Sequence, residues 1–184
     1  MLGLSWLRRC VFRSRPQAKV LITGLDSAGK TTFMYQLKLG HATVTTPTIG
    51  FNAETFAWKE IDVTFWDVSG RGGNRALVRH FTVDADAHVF MVDSADADRI
   101  EDARDLLLSL INDPAMRDLP LLVIANKQDL SGSLSPDEVV DQLGLREFGH
   151  VCWRVQAACA SSGSGLTEGA QWLHDQVAHG LAGK

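Results

Sequence analysis

The chain has 184 residues, of which 45% are hydrophobic and 22% are charged, and its formal net charge is −4 at pH 7. This length and balance predict one soluble globular domain, and the mildly acidic charge gives no basis for nucleic-acid binding. The three cysteines lack metal-ligand spacing and predict a reducing compartment, and no apolar run approaches the roughly 20 residues of a membrane span.

The N-terminal segment, residues 1–17, differs in composition from the rest of the chain. Five basic residues and no acidic one lie between Met1 and Lys19. Leu4, Leu7 and Val11 would lie along one side of a helix, which Pro16 would end. We therefore separate residues 1–17, a basic amphipathic segment, from a globular domain over 18–184. Taken alone, the segment fits either a helix lying in a membrane surface or a tail that is disordered or docked on the domain.

A phosphate-binding loop follows the first predicted strand, Val20–Ile22, and precedes a predicted helix, Thr32–Leu39. Its glycines allow a tight turn whose backbone N–H groups face a phosphate chain. Lys30 adds a charge for the β- and γ-phosphates, and the Thr31 hydroxyl can ligate Mg²⁺. The loop fits the known pattern of paired glycines, Lys and Thr and is predicted to bind a nucleoside triphosphate through Gly24, Leu25, Asp26, Ser27, Ala28, Gly29, Lys30, Thr31 and Thr32.

A predicted hairpin comes next, with strands Phe51–Trp58 and Ile61–Trp66 and a turn at Lys59-Glu60. Asp67 follows it directly and can hold Mg²⁺ through a water, while Gly70 can bring its N–H close to a γ-phosphate. As an isolated pattern, Asp-x-x-Gly is usually only a turn. Its place after a strand and downstream of the phosphate loop favours the functional interpretation.

The remaining elements alternate between strands and helices. This alternation, together with the predicted hairpin, predicts an α/β fold with a mostly parallel sheet and helices on both faces. Ligands of such sheets bind at the carboxyl ends of the strands. The predicted strands are His88–Val92, Leu119–Ala125 and His150–Gln156, and the predicted helices are Asp98–Ile111, Pro136–Leu143 and Leu166–Ala178.

The motif Asn126-Lys127-Gln128-Asp129 follows a predicted strand and indicates which base is bound. The Asp129 carboxylate can accept hydrogen bonds from the ring N–H and the exocyclic amine of guanine, a pair that adenine does not offer. Asn126 and the stem of Lys127 would hold the base and brace the phosphate loop. Together with that loop, the motif predicts binding of GTP or GDP with Mg²⁺.

These motifs, together with Pro47-Thr48-Ile49-Gly50-Phe51-Asn52, resemble those of the ADP-ribosylation-factor (Arf) and Arf-like small GTPases. The resemblance extends from about Ala18 to Val177. It implies the P-loop, small-GTPase fold, an α/β fold with a mostly parallel six-stranded sheet, and a GDP/GTP molecular switch. It implies that Thr48 completes the coordination of Mg²⁺ when GTP is bound, beside Thr31 and Asp67. It also implies that Cys159 and Ala160 back the guanine base, with the Ala160 N–H near its carbonyl oxygen.

The resemblance further implies an exchange factor and effector proteins. Trp66 shares the more polar face of its strand with Asp62 and Thr64, as an effector contact should. The hairpin is expected to slide by an even number of residues between the two states, which preserves its faces and frees the N-terminal segment for a membrane. We therefore expect a monomeric, cytoplasmic protein, reversibly associated with intracellular membranes and linked to vesicle trafficking, whose effector positions are Ile49, Phe51, Trp66, Leu77 and Phe81.

The predicted catalytic positions are Gly70 and Arg71. Gly70 matches the family pattern, but Arg71 stands where the family has glutamine. Glutamine orients the attacking water with an acceptor and a donor, whereas arginine has donors only. We therefore predict slow GTP hydrolysis with nucleotide and Mg²⁺ binding intact. In an alternative, Arg71 stabilises charge as an arginine finger in cis, but the water would still lack its orienting partner. The Gly72-Gly73 pair predicts a mobile second switch.

The N-terminus also departs from the family, because residue 2 is Leu and myristoylation needs a glycine there. Cys10 is either acylated or an unmodified thiol.

Two other functions compete with the switch. A GTP-loaded scaffold with little hydrolysis is favoured by Arg71. A P-loop nucleotide kinase is disfavoured by the Asn126–Asp129 motif and by the lack of an Arg-rich lid insertion.

Overall fold

A computed structural model describes residues 15–69, 75–149 and 152–183. Its strands are β1 (Gln17–Gly24), β2 (Phe51–Trp58), β3 (Ile61–Val68), β4 (Ala87–Asp93), β5 (Leu121–Asn126) and β6 (Trp153–Ala157). Its helices are α1 (Lys30–Leu39), α2 (Arg75–Thr82), α3 (Ile100–Ile111), α4 (Pro136–Leu143) and α5 (Leu166–Ala182), with short 3₁₀ turns at Ala97–Arg99 and Leu145–Glu147. In the part of the chain so described, no helix is both long and apolar enough to cross a membrane.

The strands form one six-stranded sheet in the order β2-β3-β1-β4-β5-β6. Only the β2–β3 hairpin is antiparallel, and the other neighbouring pairs are parallel. This topology confirms the predicted α/β fold with its mostly parallel sheet. It also explains the sequence pattern of the strands, because β5 is covered on both faces and is buried throughout, whereas the edge strand β2 alternates between exposed and half-buried residues.

Helices cover both faces of the sheet and create two separate hydrophobic cores. On one face α2, α3 and α4 contribute side chains such as Phe81, Leu107 and Leu143. On the other face α1 and α5 contribute side chains such as Phe33 and Leu173. The helices therefore leave the ends of the strands open, and at the carboxyl end the loops after β1, β3, β5 and β6 meet.

Several element boundaries differ from those that the sequence predicts. The prediction missed α2, whose sequence lacks the capping box and the terminal glycine that mark the ends of α4, a helix of the same length. Strand β5 begins at Leu121 and not at Leu119, because the Leu119 N–H closes a turn onto the Met116 carbonyl and Pro120 has no N–H to give. Helix α5 continues beyond Ala178. The last strand is shorter than predicted, and residues 150 and 151 lie outside the described residues.

Candidate functional site

The loop between β1 and α1 has a backbone that only glycine can adopt at two positions. Gly24 has a φ of 132° and Gly29 a φ of 95°, both in the region that favours glycine. A Cβ atom on Gly24 would collide with the carbonyl oxygen of Met91 in β4, and one on Gly29 would collide with the side-chain amide of Asn126. The loop is therefore fitted closely between two neighbouring strand ends.

Lys30, the first residue of α1, places its amine beneath this loop. The residue is 6% exposed, and Nζ donates to the carbonyl oxygens of Gly24 at 3.0 Å and Leu25 at 2.7 Å. Burial lowers the pKa of Lys30, and the negative charges of Asp67 and Asp26 oppose that change. A partly dehydrated cation beside backbone N–H groups at a helix N-terminus is well suited to bind a phosphate chain.

Three oxygen-bearing side chains meet beside Lys30. Thr31 donates to Asp67 Oδ2 at 2.5 Å, Thr48 donates to the same oxygen at 3.2 Å, and the two threonine Oγ1 atoms are 3.0 Å apart. Asp67 is fully buried, and its Oδ1 atom has no hydrogen-bond partner. The sequence motifs that supply these residues are distant from one another, but the fold brings the predicted metal-binding residues together.

This oxygen cluster suits a small hard cation. Mg²⁺ prefers oxygen ligands and is usually held by one or two carboxylates together with phosphates of the substrate. The unpartnered Oδ1 atom of Asp67 is an acceptor that a hydrated cation could satisfy. Within residues 15–69, 75–149 and 152–183 no group of three or more His, Cys, Asp or Glu side chains could bind a metal. A cation at this position would therefore need further ligands from a bound phosphate.

Two adjoining cavities lie above the loop. The first has a volume of about 220 Å³ and is bounded by the loop, by residues 45–48 and by Ser69. The second has a volume of about 210 Å³ and is bounded by Asn126, Lys127, Asp129, Leu130 and residues 159–161. Both cavities are also lined by Ser27, Gly29 and Thr32. The phosphate-loop residues and the predicted base-binding residues therefore face one continuous site.

Asn126 connects the two loops that bound the second cavity. Its Nδ2 atom donates to the carbonyl of Ala28 at 2.8 Å, and its Oδ1 atom accepts from the N–H of Ala160 at 2.9 Å. The predicted brace on the phosphate loop is present in this geometry. The Ala160 N–H, which the resemblance directs at the guanine carbonyl, here donates to Asn126, so a bound base would have to share or replace that bond.

The neighbours of Asn126 are held in place by residues that the sequence reasoning did not select. Lys127 forms an ion pair with Asp93 at the end of β4, with Nζ 2.5 Å from Oδ2. Asp129 is exposed to the cavity, and Cys159 is buried behind it. Asp93 follows the predicted strand His88–Val92 directly, and a position at the carboxyl end of a parallel strand could have indicated that it belongs to the site.

Arg99 is another functional residue that the sequence reasoning missed. It ends the 3₁₀ turn after β4 and contacts Asp26 of the phosphate loop at 2.9 Å and Asp96 at 2.6 Å. Asp26 would otherwise place a carboxylate close to an anion-binding loop. The Arg99 guanidinium offsets that charge, and no local motif could have indicated a partner 73 residues away.

The predicted effector positions form one surface beside the site. The ring of Phe81 lies 4.8 Å from the ring of Phe51 and 4.8 Å from that of Trp66. Phe81 is only 7% exposed and supports the other rings, while Ile49 is 96% exposed and Phe51 49%. Trp66 is half-buried between Phe81 and the amine of Lys19, which lies 5.2 Å from its ring centre. The side chain of Leu77, in α2, is outside the described part.

Some predicted positions lie outside the described residues. Gly70 and Arg71, the catalytic positions, belong to the undescribed range 70–74. Most of the N-terminal segment belongs to the undescribed range 1–14. The predictions about hydrolysis and membrane association therefore remain predictions.

Comparisons with known proteins agree on one family. A family model described as the ADP-ribosylation factor family matches residues 4–177. Among solved structures, the chain is similar to the Arl6 (BBS3) small GTPase of Trypanosoma brucei, which was determined with the bound nucleotide analogue GppNp. The two chains are 30% identical, the match covers 89% of this chain and 98% of the other, and the TM-score is 0.83.

Proposed function

The chain belongs to the ADP-ribosylation factor family of small GTPases, and on that premise we propose that it is a switch that holds GTP with Mg²⁺ and hydrolyses it slowly. As a member of this family it binds guanine nucleotide and acts with regulators and effectors. Family membership also sets aside the nucleotide kinase that the phosphate loop alone would allow. The proposed binding of Mg²⁺ rests on the geometry of the site, and the proposed slow hydrolysis rests on Arg71.

The oxygen cluster of Thr31, Thr48 and Asp67 is the observation that carries the proposal. Thr31 and Thr48 would ligate the metal directly, and Asp67 would accept a hydrogen bond from a metal-bound water. The chemistry that Mg²⁺ supplies when bound is neutralisation of charge on the phosphate oxygens. Thr48 lies against this cluster in the structure, which is the arrangement expected when GTP is bound. Its presence there supports a switch whose first loop closes over the triphosphate.

Recognition of the guanine base would fall to the second cavity. Asp129 would accept the ring N–H and the exocyclic amine, and Asn126 would hold the loops on either side of the base. Lys127, fixed by Asp93, would cover the base with its aliphatic stem. The Lys30 amine would exchange its backbone carbonyl partners for β- and γ-phosphate oxygens.

Slow hydrolysis follows from the chemistry of Arg71. A guanidinium cannot accept a hydrogen bond, so it cannot orient a water for attack on the γ-phosphate. A second candidate function, a GTP-loaded effector platform that hardly hydrolyses, is favoured by Arg71 and by the exposed side chains of Ile49 and Phe51. The ratio of GTP to GDP bound to the purified protein distinguishes the two, since a platform would retain mainly GTP.

We also propose a location and a mode of action for the switch. The basic, Trp- and Phe-containing segment 1–17 supports reversible association with anionic intracellular membranes from the cytoplasm. Without myristoylation this association would be weak unless a second anchor is added. The exposed surface around Ile49, Phe51 and Trp66 supports binding of an effector by a monomer. A role in vesicle trafficking would follow from GTP-dependent membrane recruitment.

The test identifies the bound nucleotide and then times its hydrolysis. We expect guanine nucleotide in purified full-length protein, and single-turnover hydrolysis that rises at least about tenfold in Arg71→Gln because an orienting acceptor is restored. Arg146→Gln, which alters an exposed residue in the 3₁₀ turn after α4, is the matched control and should leave the rate unchanged. Equal rates in wild type and Arg71→Gln would contradict the assignment of slow hydrolysis to Arg71, and absence of guanine nucleotide binding would contradict the switch itself.

A further inference from the structure

The β2–β3 hairpin touches functional parts of the molecule at both of its ends. At the open end, Thr48 precedes β2 and Asp67 lies near the end of β3, so both oxygen-cluster residues belong to the hairpin or its entry. At the closed end, the turn at Lys59-Glu60 lies against α5. Ile61 and Asp67 are six residues apart in β3, which places the two ends about 20 Å from each other.

The side chains of α5 that meet the turn lie on one helical face. Gln171, His174 and Asp175 have the spacing of neighbours on a helix surface. The Lys59 amine donates to the side-chain oxygen of Gln171. Gln171 in turn donates to Asp175 Oδ1 at 2.7 Å, and His174 Nδ1 lies 3.4 Å from the same oxygen. The pKa of Asp175 is lowered, mainly by the hydrogen bond from Gln171.

A ring contact adds to these polar bonds. The ring of Trp58 meets that of His174 edge-on, with centroids 5.4 Å apart, and it also contacts Phe65 of β3 at 5.7 Å. His174 is 7% exposed, and its Nε2 atom is buried without a hydrogen-bond partner. A buried unpartnered nitrogen is unfavourable in itself, so the histidine is not explained as a polar anchor. Its ring instead provides the surface on which Trp58 rests.

From these contacts we infer that the hairpin tip and α5 form a latch that positions Asp67 and Thr48 for GTP. The latch consists of Trp58 and Lys59 on the hairpin and of Gln171 and His174 on α5. The inference rests on the proposed function, because it assigns the latch an effect on the two nucleotide states. Trp58, Lys59, Gln171 and His174 are positioning residues, since they act on the nucleotide only through β2 and β3.

The sheet alone does not fix the position of this hairpin. In the described part of the sheet, β2 pairs with β3 only, so β1 alone aligns the hairpin with the rest of the fold. From Ile61 to Trp66, buried residues of β3 (Ile61, Val63 and Phe65) alternate with half-buried ones. A displacement by an even number of residues would keep the same side chains on each face. A contact at the hairpin tip would therefore favour one register of the hairpin, which the alternation of buried and half-buried residues does not do.

The docked tip and the closed oxygen cluster occur in the same structure, so the latch stabilises the arrangement that has Thr48 beside Thr31 and Asp67. Thr48 would help to hold the metal that neutralises charge on the γ-phosphate of GTP, whereas GDP has no γ-phosphate. Loss of the latch is therefore expected to weaken binding of GTP more than binding of GDP. A purely structural role would weaken both equally.

The test compares affinities for GDP and for a non-hydrolysable GTP analogue, both with Mg²⁺, in the full chain. We expect Trp58→Ala to lower the affinity for the analogue relative to GDP by about threefold to tenfold, the range expected for an aromatic contact coupled to a distant site. Trp58→Phe retains a ring and should restore most of the wild-type ratio. His179→Ala, on an exposed part of α5 away from the hairpin, should leave the ratio unchanged.

A wild-type ratio in Trp58→Ala, with both nucleotides still bound, would overturn the latch. If Trp58→Ala does not fold, Gln171→Ala decides the matter, because Gln171 is exposed and its loss removes the bond to Lys59. In that variant a shift in the same direction supports the latch, and an unchanged ratio overturns it. A wild-type chain that binds neither nucleotide would instead contradict the proposed function, and the latch with it.

Discussion

At the scale of single residues, several ionisable side chains are buried away from water. Lys30 and Asp67 lie in the nucleotide site, where the amine uses backbone carbonyls and the carboxylate uses threonine hydroxyls as partners. Both arrangements leave hydrogen-bonding capacity for a charged ligand, since Asp67 Oδ1 has no partner. The buried charges of the site are therefore explained by what they bind.

His88 is also buried, but it lines neither of the two cavities. It belongs to β4, its Nε2 atom is 2.7 Å from the Thr23 hydroxyl, and its ring lies edge-on to Phe90. Burial lowers the pKa of His88 from 6.5 to about 3. The folded protein therefore keeps this imidazole neutral at pH values where the unfolded chain protonates it.

This difference makes folding stability depend on pH through His88. As the pH falls below 6.5 the unfolded chain takes up a proton that the folded chain rejects until about pH 3, so stability is lost across that range. The expected loss from this residue is about 1.4 kcal/mol per pH unit within the range. His88→Gln keeps a partner for Thr23 and does not titrate, so its stability should fall less steeply.

Urea unfolding at several pH values, from about pH 6.5 to about pH 4.5, measures this effect. The carboxylates that titrate in the same range are common to both proteins and cancel in the difference. His179→Gln alters an exposed histidine and should retain the wild-type slope. Parallel curves for wild type and His88→Gln would contradict a buried neutral imidazole.

At the scale of elements, the carboxyl end of β5 organises the site. Asn126, the last residue of β5, joins the loop before α1 to the loop after β6 through Ala28 and Ala160. The phosphate-binding and base-binding loops are thus connected through one strand end. A change at this residue should affect both parts of the nucleotide together.

Asn126→Ala is expected to weaken binding of GDP and of a GTP analogue alike, by about tenfold to a hundredfold. The reason is that the Ala28 carbonyl and the Ala160 N–H would each lose a buried partner, at roughly 1–3 kcal/mol for an unsatisfied group. Fluorescent-nucleotide titration measures both affinities. Gln128→Ala, which removes a bond to the Leu134 carbonyl on the other side of the loop, should have a smaller effect. An unchanged GDP affinity in Asn126→Ala would contradict the bridging role.

The elements also show how far the sequence predicts this fold. Helix α4 was predicted over the observed residues, Pro136–Leu143, because its ends are encoded locally. Ser135 and Glu138 form a capping box at its start, and Gly144 ends it. Helix α2 has the same number of residues but was missed, because its sequence follows a glycine-rich stretch and has neither a capping box nor a terminal glycine. The bounds of a helix can be predicted where local capping signals mark its ends. The bounds of a helix without such signals depend on its packing against the sheet.

The same distinction applies to the site. The phosphate loop and the Asn126–Asp129 motif have fixed spacings, so the residues that the structure brings together there could be chosen in advance. The contact of Arg99 with Asp26 and that of Lys127 with Asp93 join segments distant in the chain. The contact of Trp58 with His174 does the same. Such pairs depend on the arrangement of strands and helices, which a single sequence does not specify.

At the scale of the whole molecule, bound nucleotide should contribute strongly to stability, because it would lie between loops that follow β1, β3, β5 and β6. A ligand that binds only the folded protein adds about 2.7 kcal/mol when its concentration is 100 times its dissociation constant. For a domain of this size we expect GDP with Mg²⁺ to raise the melting temperature by about 5–10 °C.

Thermal unfolding of nucleotide-free protein, with GDP or ADP added at equal concentration, measures this stabilisation. ADP should have little effect, because adenine cannot donate a pair of hydrogen bonds to Asp129. Removal of Mg²⁺ with a chelator should reduce the shift for a GTP analogue more than for GDP, since Thr48 would act with the metal in the proposed GTP state. Equal shifts for GDP and ADP would contradict guanine selection by the second cavity.

The wall that the two cavities have in common has a kinetic consequence. Because Ser27, Gly29 and Thr32 line both cavities, the same segment would contact a bound nucleotide at both of its ends. When one end detaches, the other keeps it at a high effective concentration above its own subsite, so rebinding is faster than escape. Both ends must therefore be free at the same moment for dissociation to occur. A long residence time for the nucleotide follows from this shared wall, even where neither subsite alone binds tightly.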